Sequence, residues 1–334
     1  MNQPPSAPRH GGNLHDAIQR YGIPRNDWLD LSTGISPFVW PVPTLPQEIW
    51  QRLPEDDGEL EQAALRYYGA TGLPVPGSQW AIQQLPILFP ETRAWIAEES
   101  YEEYRFHWQQ HHRVENFQQL PTDDQIQSGD IVIVINPNNP TAKYYSPSQL
   151  LALADTLQQR NGWLIVDEAF MDATPERSLL PQVAGHDNVI LLRSLGKFFG
   201  LAGVRVGFVF SRESVRAELA QRLGPWAISH PARHIATLAL RDHSWQQCNR
   251  QHLQQHSVQL QQLLNRYFDT AAITATPLFV TLKLSRPATD RWYRQLAQRG
   301  VLVRTFPDYQ RLRFGLTDAE GLQRLAQHLE DIGE

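Results

Sequence analysis

One cysteine, Cys248, is all the sequence carries, so no disulfide can form within the chain and a reducing compartment is expected. Basic runs are missing too. With a net charge of -5 and no cluster of Lys or Arg, the chain offers no footprint for a polyanion, and no nucleic-acid partner is expected. Long apolar runs are equally scarce. The longest unbroken aliphatic run, Ile131 to Ile135, is far too short for a bilayer, so no membrane partner is expected. The start, Met1-Asn2-Gln3-Pro4-Pro5, has neither a basic nor an apolar segment and reads as free of a secretory signal. The expectation is a cytoplasmic protein.

What is present is ordinary for a globular chain: 41% apolar and 10% aromatic residues. At 334 residues the chain exceeds the size at which one core stops growing, so two domains are expected. Residues 1–46 are rich in Pro and Gly and end in Pro41-Val42-Pro43-Thr44-Leu45-Pro46, which reads as an N-terminal arm packing on the small domain. Residues 47–222 read as the large domain. Within them Glu59 to Tyr68 is an amphipathic helix closed by Gly69. Apolar runs at Ala94–Ala97, Ile131–Ile135, Trp163–Val166 and Val189–Leu192 alternate with helical patterns, one opened by the capping box Ser146-Pro147-Ser148-Gln149. That alternation predicts an α/β fold with a mostly parallel sheet covered on both faces. Residues 223–334 read as a smaller α+β domain, with a last helix behind the capping box Thr317-Asp318-Ala319-Glu320. His252 and His256 share one helix face with no third ligand in sight, so a solvated face and no metal is the reading.

The stretch Ser194-Leu195-Gly196-Lys197 through Arg205 sits between two apolar runs, Val189–Leu192 and Val206–Phe210. A lysine in such surroundings loses charge through desolvation, and a neutral amine is the nucleophile that imine chemistry needs. Alone, Ser-x-x-Lys is a common tetrapeptide and reads equally as a loop lysine. In parallel sheets, however, ligands sit beyond the carboxyl ends of the strands. Three polar loops follow apolar runs there: Asn136-Pro137-Asn138-Asn139, Asp167-Glu168 and Ser194 to Lys197. Gly77-Ser78-Gln79 adds a helix start, whose first N–H groups suit an anion, although a plain N-cap fits Ser78 as well. A lysine, a strand-end aspartate, a turn asparagine and an anion site together make a site for pyridoxal phosphate.

These motifs resemble the fold-type I pyridoxal-phosphate enzymes, in the histidinol-phosphate aminotransferase branch. Within it the chain looks most like the family of threonine-phosphate decarboxylases of cobalamin biosynthesis. The general motifs are Asn136-Pro-Asn-Asn-Pro-Thr141, Val166-Asp-Glu-Ala-Phe170 and Ser194-x-x-Lys197 with Arg205. The decarboxylase-like ones are His10-Gly-Gly-Asn13, Leu29-Asp-Leu-Ser-Thr-Gly-Ile-Ser-Pro37, Arg193 through Arg205, and Arg313-Phe-Gly-Leu-Thr317. The resemblance implies a large domain with a mostly parallel sheet, a smaller α+β domain and a homodimer. It makes Lys197 the imine lysine, Asp167 the partner of the pyridine nitrogen, Asn139 a donor to the phenolic oxygen and Tyr101 the aromatic stacked on the ring. Ser78, Ser194 and Arg205, with the Gly77 to Gln79 segment, match the phosphate holders. For a small phosphorylated amino-acid substrate, Arg313 matches the carboxylate arginine, Arg304 is a candidate for the phosphate, and His10 and Gly34 fall in matching substrate segments.

Two positions depart from the relatives. Phe170 stands where aminotransferases usually have tyrosine, and Arg52-Leu53-Pro54-Glu55 lacks the tyrosine that reaches a neighbouring subunit's phosphate in many of them. The implied reaction is decarboxylation of L-threonine O-3-phosphate. The alternatives are a histidinol-phosphate type aminotransferase and, from another class, a catalytically silent scaffold, against which the joint retention of Lys197, Asp167, Asn139 and Arg205 argues.

Overall fold

The computed structural model describes residues 8, 10–55 and 57–333; residues 1–7 and 9 of the expected arm lie outside the described residues. Along the described chain the strands are β1 (Leu29–Leu31), β2 (Gly72–Val75), β3 (Arg93–Ala97), β4 (Arg113–Phe117), β5 (Ile131–Ile135) and β6 (Trp163–Asp167). After them come β7 (Val189–Ser194), β8 (Gly207–Phe210), β9 (Ile273–Thr276), β10 (Phe279–Lys283), β11 (Val301–Phe306) and β12 (Arg311–Gly315). The chain divides into two compact units. One takes Trp40–Asn139 with Lys143–Gln246, and the other takes 10–39, Pro140–Ala142 and 247–333.

In the first unit the sheet order is β2-β8-β7-β6-β5-β3-β4. β4, β3, β5, β6 and β7 run parallel, as the apolar runs of the last four predict, while β4, half polar in sequence, joins them at the edge without such a run; β8 turns back antiparallel to both β7 and β2. β5 and β7 are buried along their whole length. The crossover from β5 to β6 is the helix Pro147–Gln159, opened by the Ser146–Gln149 capping box and burying Leu150, Leu153, Ala154 and Leu157. Pro74 sits inside β2, a strand that no apolar run in the sequence announces. It is tolerated because β2 is an edge strand.

This unit runs to Gln246 rather than stopping at residue 222. The helix His230–Arg241 packs on the helix Glu59–Tyr68, where Arg233 Nη2 donates to both carboxylate oxygens of Glu61 at 3.0 and 2.9 Å. Trp245 then stacks on Phe199, with centroids 5.6 Å apart. The expected arm also divides, before Trp40. That residue's amide donates to the Phe199 carbonyl (2.9 Å) and its indole to Asp242 (3.1 Å).

The second unit is a sheet of order β1-β11-β12-β10-β9, antiparallel except where β1 pairs parallel with β11. Two local readings change here. The last helix, Ala319–Gly333, is capped by Asp318, which accepts from the Gly321 amide at 2.8 Å, instead of by a box on Thr317. His252 and His256 do not simply face solvent: Phe38 packs on both rings, at 5.4 and 4.8 Å, and His256 bonds the Thr317 carbonyl.

Candidate active site

Adjacent parallel strands end side by side, and their ends carry the chemistry. The register places Ile135 opposite Asp167, and Asp167 opposite Leu192 of the strand that finishes at Ser194. The cavity beyond these ends lies within the first unit. Ser78, Gln79, Tyr101, Asn139, Asp167, Ser194, Lys197 and Arg205 line it, over an apolar floor that includes Ile82, Ile135, Ala169 and Phe170. So the sequence-predicted cofactor residues meet in one place.

Asp167 is buried and accepts from the Tyr104 hydroxyl at 3.0 Å and from the Ala169 amide at 2.9 Å. Burial is the largest influence and pushes its carboxyl above the ordinary range. The Ala169 amide, the Tyr104 hydroxyl and the Lys197 charge draw it partly back. Tyr104 is itself held well above the usual phenol range, by burial first and by the Asp167 charge second, so it stays a proton donor. Lys197 rides on a one-turn helix, Leu195–Phe198, directly after β7. Its Nζ stands 5.7 Å from the Phe170 ring centroid.

The opposite end is built from close backbone approach. Gly77 has φ +76, and a Cβ there would meet Arg205 Nη2 at 2.7 Å. Gly207 approaches the Ser78 amide so closely that a Cβ would sit 2.6 Å from it. Ser78 is the first residue of the helix Ser78–Gln84, with Gly77 in the cap position. Arg205 adopts a left-handed backbone (φ 56), and its Nη1 donates to the Ala202 carbonyl at 3.2 Å. Tyr101 caps the helix Glu102–Trp108 and donates to Gln79 Oε1 at 3.1 Å; Gln79 in turn donates to Glu103 at 2.5 Å. The Asn139 loop is anchored from below. Asn136 exchanges bonds with both backbone groups of Tyr145 (3.0 and 2.9 Å), and Asn138 donates to the Glu99 carbonyl at 2.7 Å.

The substrate residues expected from the sequence belong to the second unit. Arg304 and Arg313 face each other across β11 and β12. Arg313 is buried, with its guanidinium over Phe279 (5.3 Å) and Phe306 (5.7 Å). Gly34 is buried just beyond β1, while His10 is exposed.

A model of the aminotransferase class I and II family matches residues 53–329. The chain belongs to that aminotransferase family. A threonine-phosphate decarboxylase of Pseudomonas aeruginosa is 44% identical over 92% of this chain and 92% of its own length. One from a Sinorhizobium species is 39% identical over 96% of this chain and 97% of its own. In fold the chain is similar to the histidinol-phosphate aminotransferase of Sinorhizobium meliloti in complex with pyridoxal-5'-phosphate. That match has a TM-score of 0.81 and 19% identity, and covers 98% of this chain and 95% of that one.

For this aminotransferase-family chain the sequence reading missed a second polar cluster beside the cavity. Arg193, buried, donates to Asp172 (2.8 Å) and Ser178 (2.8 Å) and pairs with Glu168 at 3.0 Å. Glu168 also accepts from Ser178 (2.6 Å) and from the Leu179 amide (2.8 Å). Tyr104, the partner of Asp167, was missed as well. It lies on the same helix as aromatic neighbours, and nothing in its spacing points to residue 167.

Proposed function

We propose that this chain is a pyridoxal-phosphate-dependent carboxy-lyase. It converts L-threonine O-3-phosphate to CO2 and (R)-1-amino-2-propanol O-2-phosphate in cobalamin biosynthesis. The observation that carries the reading is the full-length likeness to proteins named threonine-phosphate decarboxylase.

The cavity fits the cofactor on its own evidence. A buried carboxylate bonded only by neutral donors, Tyr104 and Ala169, suits a protonated ring nitrogen. Ser78, Ser194 and Arg205, beside a backbone kept bare by Gly77 and Gly207, suit a phosphate. When bound, pyridoxal phosphate supplies an aldehyde that bonds an amine and a ring that accepts the electron pair left as CO2 departs. With the cofactor bound, Asp167 would keep the ring nitrogen protonated, Asn139 would donate to the phenolic oxygen and Tyr101 would stack on the ring. Lys197 would supply the amine that bonds the aldehyde and, once released, a proton for the substrate's Cα. In the second unit Arg313 takes the substrate carboxylate and Arg304 its phosphate, each with a guanidinium fork matched to two oxygens. His10 and Gly34 lie in the segments that complete the substrate site.

We read the protein as a cytoplasmic homodimer. Among the described residues no helix is long and apolar enough to cross a membrane. Trp50, Leu53 and Trp226 leave large apolar side chains exposed, which suits a partner copy.

Two measurements test the reading. Threonine phosphate labelled at the carboxyl carbon should release label as CO2. Glutamate formed from histidinol phosphate plus 2-oxoglutarate, with no labelled CO2, would overturn it in favour of an aminotransferase. Borohydride should fix the cofactor to the peptide containing Lys197. Since Lys143 and Lys283 are the sequence's other lysines, the attachment point is unambiguous.

A further inference from the structure

The carbonyl of Ser32 accepts a hydrogen bond from Arg313 Nη2 at 2.8 Å, and everything around Ser32 fixes where that carbonyl points. Asp30 Oδ1 accepts from both the Ser32 amide (2.9 Å) and the Ser32 hydroxyl (2.6 Å), which closes the turn just after β1. The same hydroxyl accepts from the Gly12 amide at 2.7 Å. Ser32 is therefore held on three sides, by its own strand end, by the Gly11-Gly12 segment and by β12.

Glycines make this closeness possible. A Cβ on Gly11 would lie 2.2 Å from the Ser32 carbonyl oxygen. On the other side of the turn, a Cβ on Gly315 would lie 2.1 Å from the Thr33 carbonyl oxygen. The turn is thus pressed between the arm and the strand that carries Arg313. Ser32 is buried and so is Arg313, and a buried guanidinium takes its orientation from its hydrogen-bond partners.

We propose that Ser32 is a positioning residue, which acts by aiming the guanidinium of Arg313 at the substrate's carboxylate. This rests on the reading above that Arg313 binds that carboxylate. Asp30 and Gly12 lock the Ser32 hydroxyl, the locked turn presents its carbonyl to Nη2, and the remaining edge of the fork takes one orientation. Because the product has lost the carboxylate, the device senses substrate and not product.

The test is a set of variants in the cofactor-loaded enzyme, each measured for the KM of threonine phosphate and for inhibition by the product amine phosphate. Ser32→Ala keeps the carbonyl but removes both hydroxyl bonds that fix it, to the Asp30 carboxylate and from the Gly12 amide. It should raise KM about 10-fold, the order of one charge-assisted hydrogen bond, and leave product inhibition unchanged. Asp30→Ala, a change on the exposed side of the turn, should move KM the same way. Asp30→Asn, whose amide oxygen still accepts both Ser32 bonds, should restore it. Ser32→Ala added to Arg313→Gln should cost nothing more than Arg313→Gln alone. A normal KM in Ser32→Ala with a raised KM in Arg313→Gln would overturn the positioning role while leaving the substrate assignment standing. Equal weakening of substrate and product, or additive effects in the double variant, would overturn it too. A normal KM in Arg313→Gln would remove the carboxylate assignment and the inference together.

Discussion

Asp167 and Glu168 are neighbours in sequence, both buried, and the end of β6 turns them into different surroundings. Glu168 finds a full set of partners in Arg193, Ser178 and the Leu179 amide. Asp167 accepts its hydrogen bonds from neutral donors alone, and the Lys197 charge acts on it less than they do. Burial pushes both carboxyls upward, and in each case it is the largest influence. What opposes it differs: for Glu168 the Arg193 charge comes first, for Asp167 an amide. A buried ion cluster serves the fold, whereas a buried acid bonded by neutral groups suits the protonated ring nitrogen proposed above.

The largest expected effect breaks the completed cluster. Arg193→Met leaves Glu168 and Asp172 buried without their cation and should destabilise the protein by about 3–5 kcal/mol, read as a lower melting temperature with or without cofactor. An unchanged melting temperature would show that the cluster is not what secures this region. Next, Asp167→Asn should cut turnover by roughly 100- to 1000-fold, in the range seen when a preorganised group is lost, while cofactor still binds. Near-normal turnover would put Asp167 in the same structural class as Glu168.

A smaller effect sharpens the contrast through pH. Asp167 has a folded-state pKa raised above its unfolded value. At low pH it is protonated in both states and costs the fold nothing. As pH rises through the raised folded value, the unfolded chain has already released its proton, and the native state loses stability. The cofactor-free protein should therefore fall in melting temperature relative to cofactor-free Asp167→Asn as pH climbs above the ordinary carboxylate value. A difference that stays flat with pH would contradict the upward shift that burial gives this carboxyl. The smallest effect concerns Phe170, buried beside Lys197. Phe170→Tyr adds a donor for the phenolic oxygen and should lower the pH at which the loaded enzyme changes its visible absorption. The expected fall is about one pH unit, the equivalent of one hydrogen bond to a charged group. No fall, or a rise, would place that ring away from the phenolic oxygen.

Legibility in the sequence divides along the same line. Asp167, Asn139 and Lys197 could be read because each stands just past an apolar run, and parallel strands gather such positions at one edge. The Arg193 cluster could not. The apolar run stops at Leu192, yet β7 continues through Ser194 with Arg193 inside, and only tertiary neighbours make that burial tolerable. β2 was not read as a strand because Pro74 lies inside it, and the edge position that tolerates a proline shows only in the assembled sheet. In the second unit Arg304 and Arg313 were visible as residue types, but their facing register and the Ser32 carbonyl that meets Arg313 depend on backbone geometry that no side chain announces.

The anion end of the cavity rests on missing atoms as much as on present ones. Gly77 and Gly207 leave room that a single carbon would fill, against Arg205 in one case and the Ser78 amide in the other. Such a place tolerates subtraction better than addition. A drifting sequence could keep every charged and hydroxyl-bearing residue of the site and still close the room proposed for phosphate through one methyl group, a lesion invisible to any inventory of functional side chains.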